Sequence, residues 1–549
     1  MRRVRFQDAE AAAVEGRSLF EYADRLGALV PTSCLRNGYC HECVVEVTAG
    51  WDALTPPSEA ESFLQEPLRL ACQARVAVED GNGEICFEPL RRRPQILSER
   101  HLRNVELDPV VTLRDGVVYY NEEEIEIFRG HLYGLAIDLG TTTVVMDLVD
   151  LQTGESLCLI SFENPQRFGG SDVMNRISYD GGPFQGELQK ALTTALNRHI
   201  VEICERFGFA RQEIYEIVVA GNSTMRDLLF RLDVQSIGQK PYKSLVETEF
   251  IEGNRSSTVI VEHSRRLGVR ANIHTRVYGM PLVASHVGAD TAADMVALDI
   301  HLDSDEVTML VDVGTNTEVV LAGRGRMLAC SSPAGPAFEG GLVRYGMPGY
   351  DGAIESVRVE EDGSFICSVI GDVEAKGICG SGLVDLLAEL RRMQRMSERG
   401  VIGDGKTRNE EVQLTSSGVA FSSRDASHLA QAKAANYCGQ YILMREFGVN
   451  PDDIETLYLA GGFANYIDVA NAVDIGFLPP VPTQRVVKVG NAALQGAREV
   501  LVNRQMRREI EQRVRDVDHI ELETIPDFFD IFVEGCMFKP MPRVIDPAS

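Results

Sequence analysis

No stretch of this 549-residue chain reaches the ~18 consecutive apolar residues that a membrane span requires. The opening residues, Met1-Arg2-Arg3-Val4-Arg5-Phe6-Gln7-Asp8, are basic but have no apolar run behind them, so a secretory leader is not expected. Positive charge is also scarce. Lys and Arg number 54 against 81 Asp and Glu, a formal net charge of −27. An excess of that size disfavours contact with phosphate backbones or anionic membranes. Only short basic runs, such as Arg91-Arg92-Arg93, interrupt it. These absences predict a cytoplasmic protein with neither nucleic-acid nor membrane partners. What remains is ordinary: 44% hydrophobic and 25% charged residues, enough for several cores, in a chain long enough for several domains.

Twelve cysteines without a leader point to thiols or metal ligands rather than disulfides. Eight are scattered singly, as small buried hydrophobes are. The other four are Cys34, Cys40, Cys43 and Cys72. Three thiolates on one short loop and a distant fourth suit a [2Fe–2S] cluster. The spacing of five and then two residues resembles the adrenodoxin-like branch of ferredoxins, and Arg69-Leu70-Ala71-Cys72-Gln73 resembles their fourth-ligand segment. The flanks agree. Val4 to Phe6 and Val44 to Val47 read as strands, and Ser18 caps a short helix. The loop departs from ferredoxins in having one glycine, Gly38, so its hydrogen bonding to sulfur is open. A structural zinc site is the competing reading, but zinc ligands usually come as two close pairs.

Residues 91–131 read as a linker or reduced middle segment with a hairpin, Val117–Tyr120 and Ile125–Phe128. At Tyr133 the character changes. An apolar strand, a tight turn and a second apolar strand carry Asp138-Leu139-Gly140-Thr141-Thr142-Thr143. The same pattern, Asp-x-Gly-Thr-x-Thr, recurs 174 residues later as Asp312-Val313-Gly314-Thr315-Asn316-Thr317. The Asp at the end of a buried strand can address Mg²⁺ through water. The Gly lets backbone approach a phosphate, and the Thr hydroxyls and loop N–H groups cradle its oxygens. A third element, Leu457-Tyr458-Leu459-Ala460-Gly461-Gly462, is an apolar strand ending in two glycines. The set resembles the ASKHA superfamily of actin, sugar kinases and heat-shock chaperones. Its two lobes each offer a hairpin to one ATP, and the double glycine borders the adenosine. Gly400 to Thr407 matches a P-loop literally, but a charged helix precedes it and a polar run follows, so it reads as a turn.

A ferredoxin joined to an ASKHA ATPase resembles the reductive activators of corrinoid-dependent proteins, the RACE family. The resemblance extends to Asn164-Pro165-Gln166-Arg167-Phe168-Gly169-Gly170, Gly221-Asn222-Ser223-Thr224, Val287-Gly288-Ala289-Asp290, Ser332 to Gly340, Gly377 to Gly382 and Val489 to Leu494. It implies an α/β multidomain chain: a β-grasp [2Fe–2S] domain over 1–90, the linker, and a two-lobed ASKHA ATPase over 132–549, with lobes near 132–305 and 306–549. Some relatives carry a full middle domain, for which 91–131 is too short. Archaeal relatives carry C-terminal cysteine clusters, where this chain has only Cys536.

The implied task is to return one electron to Co(II) of a corrinoid protein, regenerating Co(I), with ATP hydrolysed. An upstream low-potential donor would refill the cluster, and a homodimer through the ATPase domain is open. Plant-type clusters sit near about −400 mV, and each 59 mV of a one-electron gap costs about tenfold in equilibrium. ATP would therefore act by changing the stability of complexes. By motif, Cys34, Cys40, Cys43 and Cys72 bind the cluster, and Asp138 and Asp312 position Mg²⁺. Gly140, Thr141, Thr142, Thr143, Gly314, Thr315 and Asn316 hold phosphates. Gly380, Ser381, Gly461 and Gly462 complete the ATP site. Asn222 and Thr224 stand where related ATPases arrange water, and the hydrolytic base is unassigned. The loop with Ser331 is either a turn of the cleft or a surface facing the corrinoid. A ferredoxin-regulated small-molecule kinase and a non-enzymatic ATP-binding redox sensor are the rival readings.

Overall fold

The computed structural model describes residues 2–6, 9–28, 30, 36–38, 43–62, 64–77, 83–89, 103, 105–170, 172–335, 337–360, 363–403, 410–462 and 464–545. The P-loop look-alike falls partly at 404–407, outside the described residues.

The N-terminal unit is a five-stranded sheet that grips one helix. Its strands run, across the sheet, Ala9–Ala12, Arg3–Phe6, Glu84–Pro89, Val44–Ala49 and Leu68–Leu70. Arg3–Phe6 pairs parallel to Glu84–Pro89, which gives the β-grasp arrangement. The helix Leu19–Leu26 begins where the sequence predicts. Ser18 Oγ accepts from Glu21 N–H, and the Glu21 carboxylate accepts from Ser18 N–H. Its buried face is Leu19, Phe20, Tyr22 and Ala23.

Residues read as a linker are folded from Val111 onward. Val111–Arg114, Val117–Tyr120 and Glu123–Ile127 form a three-stranded meander, one strand more than the predicted hairpin. Val111 and Val118 are buried in a core that includes Tyr215 and Tyr278. Two apolar side chains on one face of short strands suffice to anchor the meander on the following lobe.

Two six-stranded sheets follow, and five strands of each repeat one topology; the sixth lies on opposite edges. In the first, Tyr133–Leu139, Thr143–Asp150 and Ser156–Glu163 form an antiparallel meander, and Ile214–Gly221 and Arg276–Gly279 add in parallel beyond Tyr133–Leu139. In the second, Val307–Val313, Thr317–Gly323 and Arg326–Ser332 form the meander, and Ile454–Ala460 and Val486–Gly490 add in parallel. The duplicated motif is thus a duplicated sheet. Asp138 lies opposite Ala220, and Asp312 opposite Ala460, at matching strand ends.

Helices Ala289–Ala297 and Ala492–Val502 cross between the sheets. Their small residues let the backbones touch: a Cβ on Gly496 would lie 1.9 Å from Ala293 O, so only glycine fits. Although it comes from the far end of the chain, Ala492–Val502 packs on the first sheet, with Leu501 methyls against Gly134. The buried Glu216–Arg507 pair, at 2.9 Å, holds the next helix to the same sheet. Among the described residues no helix is long and apolar enough to cross a membrane.

Candidate functional site

Both hairpins open into one cavity of about 440 Å³ between the sheets. Asp138, Gly140, Thr141, Thr142, Thr143, Gly314, Thr315, Asn316 and Asp312 all line it, as do Asn222, Gly380, Ser381, Gly461 and Gly462. Thr224 does not. It is buried within the helix Ser223–Leu229. Ser331 stands just behind the lining, its hydroxyl donating to Glu318 Oε1 at 2.9 Å.

The first hairpin is held by donors. Asn222, at the end of Ile214–Gly221, caps the next helix by accepting from Met225 N–H and donates Nδ2–H to Thr141 Oγ1 at 3.0 Å. Asn164 Nδ2 donates to Gly140 O at 2.8 Å. Arg176 Nη2 donates to Thr141 O at 2.7 Å. Asn491 caps Ala492–Val502 and donates to Asp138 Oδ2 at 2.7 Å. Several of the motifs that carried the family resemblance therefore brace the first hairpin.

The second hairpin is surrounded by carboxylates. Thr315 Oγ1 donates to Glu339 Oε1 and Oε2, each at 3.0 Å, and Thr142 Oγ1 reaches across from the first hairpin to Glu339 Oε2, also at 3.0 Å. One carboxylate thus takes hydroxyl donors from both hairpins, hydroxyls that the motif alone assigns to phosphate. Glu318 lies directly across the strand pair from Asp312. Asp294 is fully buried, and neither of its carboxylate oxygens has a hydrogen-bond donor among the described residues. It faces Asp312, and a proton on either carboxyl is the donor that would bridge them.

Burial governs these acids. It raises Asp138 to about 7, against the Asn491 hydrogen bond and with help from Asp312. It raises Asp290 to about 7 and Asp312 to about 6, and pushes Asp294, Glu318 and Glu339 upward. Among the described residues no three such groups converge to ligate a metal ion directly. A hydrated Mg²⁺, reached through its waters, is the form that Asp138 and Asp312 can address.

The remaining walls suit a nucleotide. The 13-residue helix Gly380–Arg392 points its N-terminus at the cavity, where unpaired N–H groups favour an anion. Gly461 has φ 108°, and a Cβ there would meet Val313 O at 2.1 Å, so it lets two strand ends close on each other. Gly462 has nothing within 4 Å of its would-be Cβ and is the glycine that leaves room.

In the N-terminal unit, Cys43 and Cys72 are buried, unbridged, and 3.3 Å apart at sulfur. The Cys43 thiol draws Cys72 down to about 6, helped by donors from Gln73 Nε2 and Gly38 N–H. Adjacent thiols with N–H donors aimed at sulfur fit cluster ligation. The fourth-ligand segment is fixed from below, since Glu61 accepts from Leu70 N–H and pairs with the buried Arg69 at 2.8 Å. Cys34 and Cys40 lie outside the described residues.

Sequence reasoning missed Asp294, Glu318, Glu339 and Arg176. Asp290 and Glu339 fell inside resemblance motifs without a role, which was the available signal.

Residues 306–544 match the family model described as the C-terminal domain of RACo, the ASKHA domain, and 133–303 match the RACo middle region. Residues 4–77 match the 2Fe-2S iron–sulfur cluster binding domain. The corrinoid activation enzyme RamQ of Eubacterium limosum is 32% identical over 431 residues, 74% of this chain and 70% of the relative. The [Co(II) methylated amine-specific corrinoid protein] reductase of Methanosarcina barkeri is 23% identical over 429 residues, 73% of this chain and 76% of the relative. A solved reductive activator for a corrinoid, iron–sulfur protein is 28% identical, with a TM-score of 0.69 over the full length of both chains.

Proposed function

Since the chain belongs to the RACo family, with its 2Fe-2S domain and its ASKHA domain, we propose that it reactivates a corrinoid protein by ATP-dependent one-electron reduction. Co(II) takes one electron and becomes Co(I), while ATP and water become ADP and inorganic phosphate. The observation that carries this reading is the pairing, in one chain, of the Cys43–Cys72 thiols with two phosphate hairpins on one cavity. RamQ and the reductive activator bear names that point to the same substrate class.

The [2Fe–2S] cluster, when bound by Cys34, Cys40, Cys43 and Cys72, supplies the single electron. Gln73 and the Gly38 N–H stabilise charge on the Cys72 sulfur. In the cleft, the hairpin N–H groups would bind the triphosphate, and Asp138 and Asp312 would hold Mg²⁺ through its waters. Asn222 orients the Thr141 hydroxyl beside them. Glu318 and Glu339 are the carboxylates nearest the second hairpin, and either can take a proton from the attacking water. Nucleotide binding must disturb the Glu339 contact that joins Thr142 of one lobe to Thr315 of the other. That contact is a physical route from ATP to lobe geometry, and hence to affinity for the corrinoid partner.

Mixing the reduced protein, Mg-ATP and a candidate Co(II) corrinoid protein should give the Co(I) spectrum and release inorganic phosphate. Equal reduction without ATP overturns the coupling. Transfer of phosphate to a metabolite favours a kinase instead.

A further inference from the structure

Directly behind the first hairpin lies a cation that no motif assigns. Arg176 is 1% exposed. Its Nη2 donates to Thr141 O at 2.7 Å, its Nε to Gly170 O at 3.1 Å, and its Nη1 to Met225 Sδ at 3.1 Å and Gln166 Oε1 at 3.4 Å. Every one of these acceptors is neutral. Asp172, Glu163 and Glu339 act on it only through space. Burial lowers its pKa to about 9, so it remains charged at neutral pH.

A guanidinium withdrawn from water with no ion-pair partner is costly. The cost is offset where the counter-charge arrives with a ligand. The cavity on the other side of Thr141 has that need, since nine carboxylates and no Lys or Arg are among its described lining residues. A triphosphate entering such a cleft meets carboxyl groups on most sides and no cation among the described lining residues. Mg²⁺ would offset part of the triphosphate charge, and behind the loop, among the described residues, Arg176 is a buried cation that can offset more.

We propose that Arg176 is a positioning residue for the triphosphate: it fixes the Thr141 carbonyl so that the hairpin N–H groups face the phosphates, and its charge offsets theirs. This rests on the nucleotide reading above. A purely structural arginine would affect all ligands of the cleft alike, whereas one that answers phosphate charge must discriminate by phosphate number.

The test measures Kd for Mg-ATP, Mg-ADP and adenosine on the full-length protein and on R176M and R176K. R176M should weaken ATP about 100-fold, ADP about tenfold and adenosine less than about twofold. R176K keeps the charge but has fewer donors, and should fall between wild type and R176M in the same order. Equal losses for all three ligands, or none, overturn the proposal. If R176M does not fold, R176K decides by that ordering. Wild-type protein that binds no ATP overturns the nucleotide reading and this inference with it. Wild-type binding with an ungraded variant overturns this inference alone.

Discussion

Around the first hairpin most side-chain neighbours are donors; around the second they are carboxyl acceptors, of which Glu339 also reaches Thr142 of the first. Asn164, Arg176, Asn222 and Asn491 all give hydrogens to the first. Glu339 takes hydrogens from the second, with Glu318 and Asp294 beside Asp312. Yet both hairpins read Asp-x-Gly-Thr-x-Thr, and both close the same strand topology. The two hairpins share the backbone proposed to meet phosphate, and their surroundings differ. The first hairpin is built to be rigid and electropositive from behind. The second concentrates carboxyl groups whose protons burial holds, which suits proton transfer.

The largest expected effect tests this contrast at the two aspartates. D312N should lower ATP hydrolysis about 100- to 1,000-fold, as removal of one preorganised electrostatic group does. D138N should lower it only about tenfold, because the amide keeps an oxygen that accepts from Asn491 and so preserves the hairpin's geometry. Equal losses in steady-state hydrolysis would erase the distinction. E339Q removes an acid from between the two hairpins and loosens its hold on both Thr hydroxyls. ATP should bind about tenfold more tightly to it by calorimetry. Weaker binding would mean that the carboxylate supports the nucleotide instead of competing with it.

Two smaller effects concern stability. N491A loses a helix cap and the donor to Asp138, which should cost about 1–2 kcal/mol in thermal unfolding. Asp138 also sets a pH dependence. Its folded pKa lies above the ordinary value of 3.8, so the folded state binds the proton more tightly than the unfolded one. Its contribution is therefore present below about pH 4 and is lost as pH rises through about 7. Without nucleotide, Tm should fall between pH 5 and 8, and the D138N slope should be flatter by about a degree or two. A steeper slope in D138N would reverse the assignment.

The hairpins were legible in the sequence because strand, turn and strand are contiguous, and apolar runs around Gly140 and Gly314 announce them. The Ser18 cap was legible for the same reason: its partner Glu21 is three residues away. The donors and acids that distinguish the hairpins were not. Arg176 acts 35 residues from Thr141, Glu339 acts 197 residues from Thr142, and Asn491 acts 353 residues from Asp138. No local periodicity marks such residues, since only the closed topology brings them together. The third strand of the meander, Val111–Arg114, was missed because four residues with one buried side chain, Val111, and one half-buried, Leu113, carry little pattern.

The return of Ala492–Val502 to the first sheet also fixes an order of assembly. During synthesis, the first sheet is complete in sequence by Gly279, yet the helix that covers one of its faces ends at Val502. At about 5–20 residues per second, the ribosome needs roughly 10–45 s to cross that interval. For that time Ala136, Val218 and their neighbours present an incompletely covered apolar face. The nascent chain must keep that face from other chains until its own last quarter arrives.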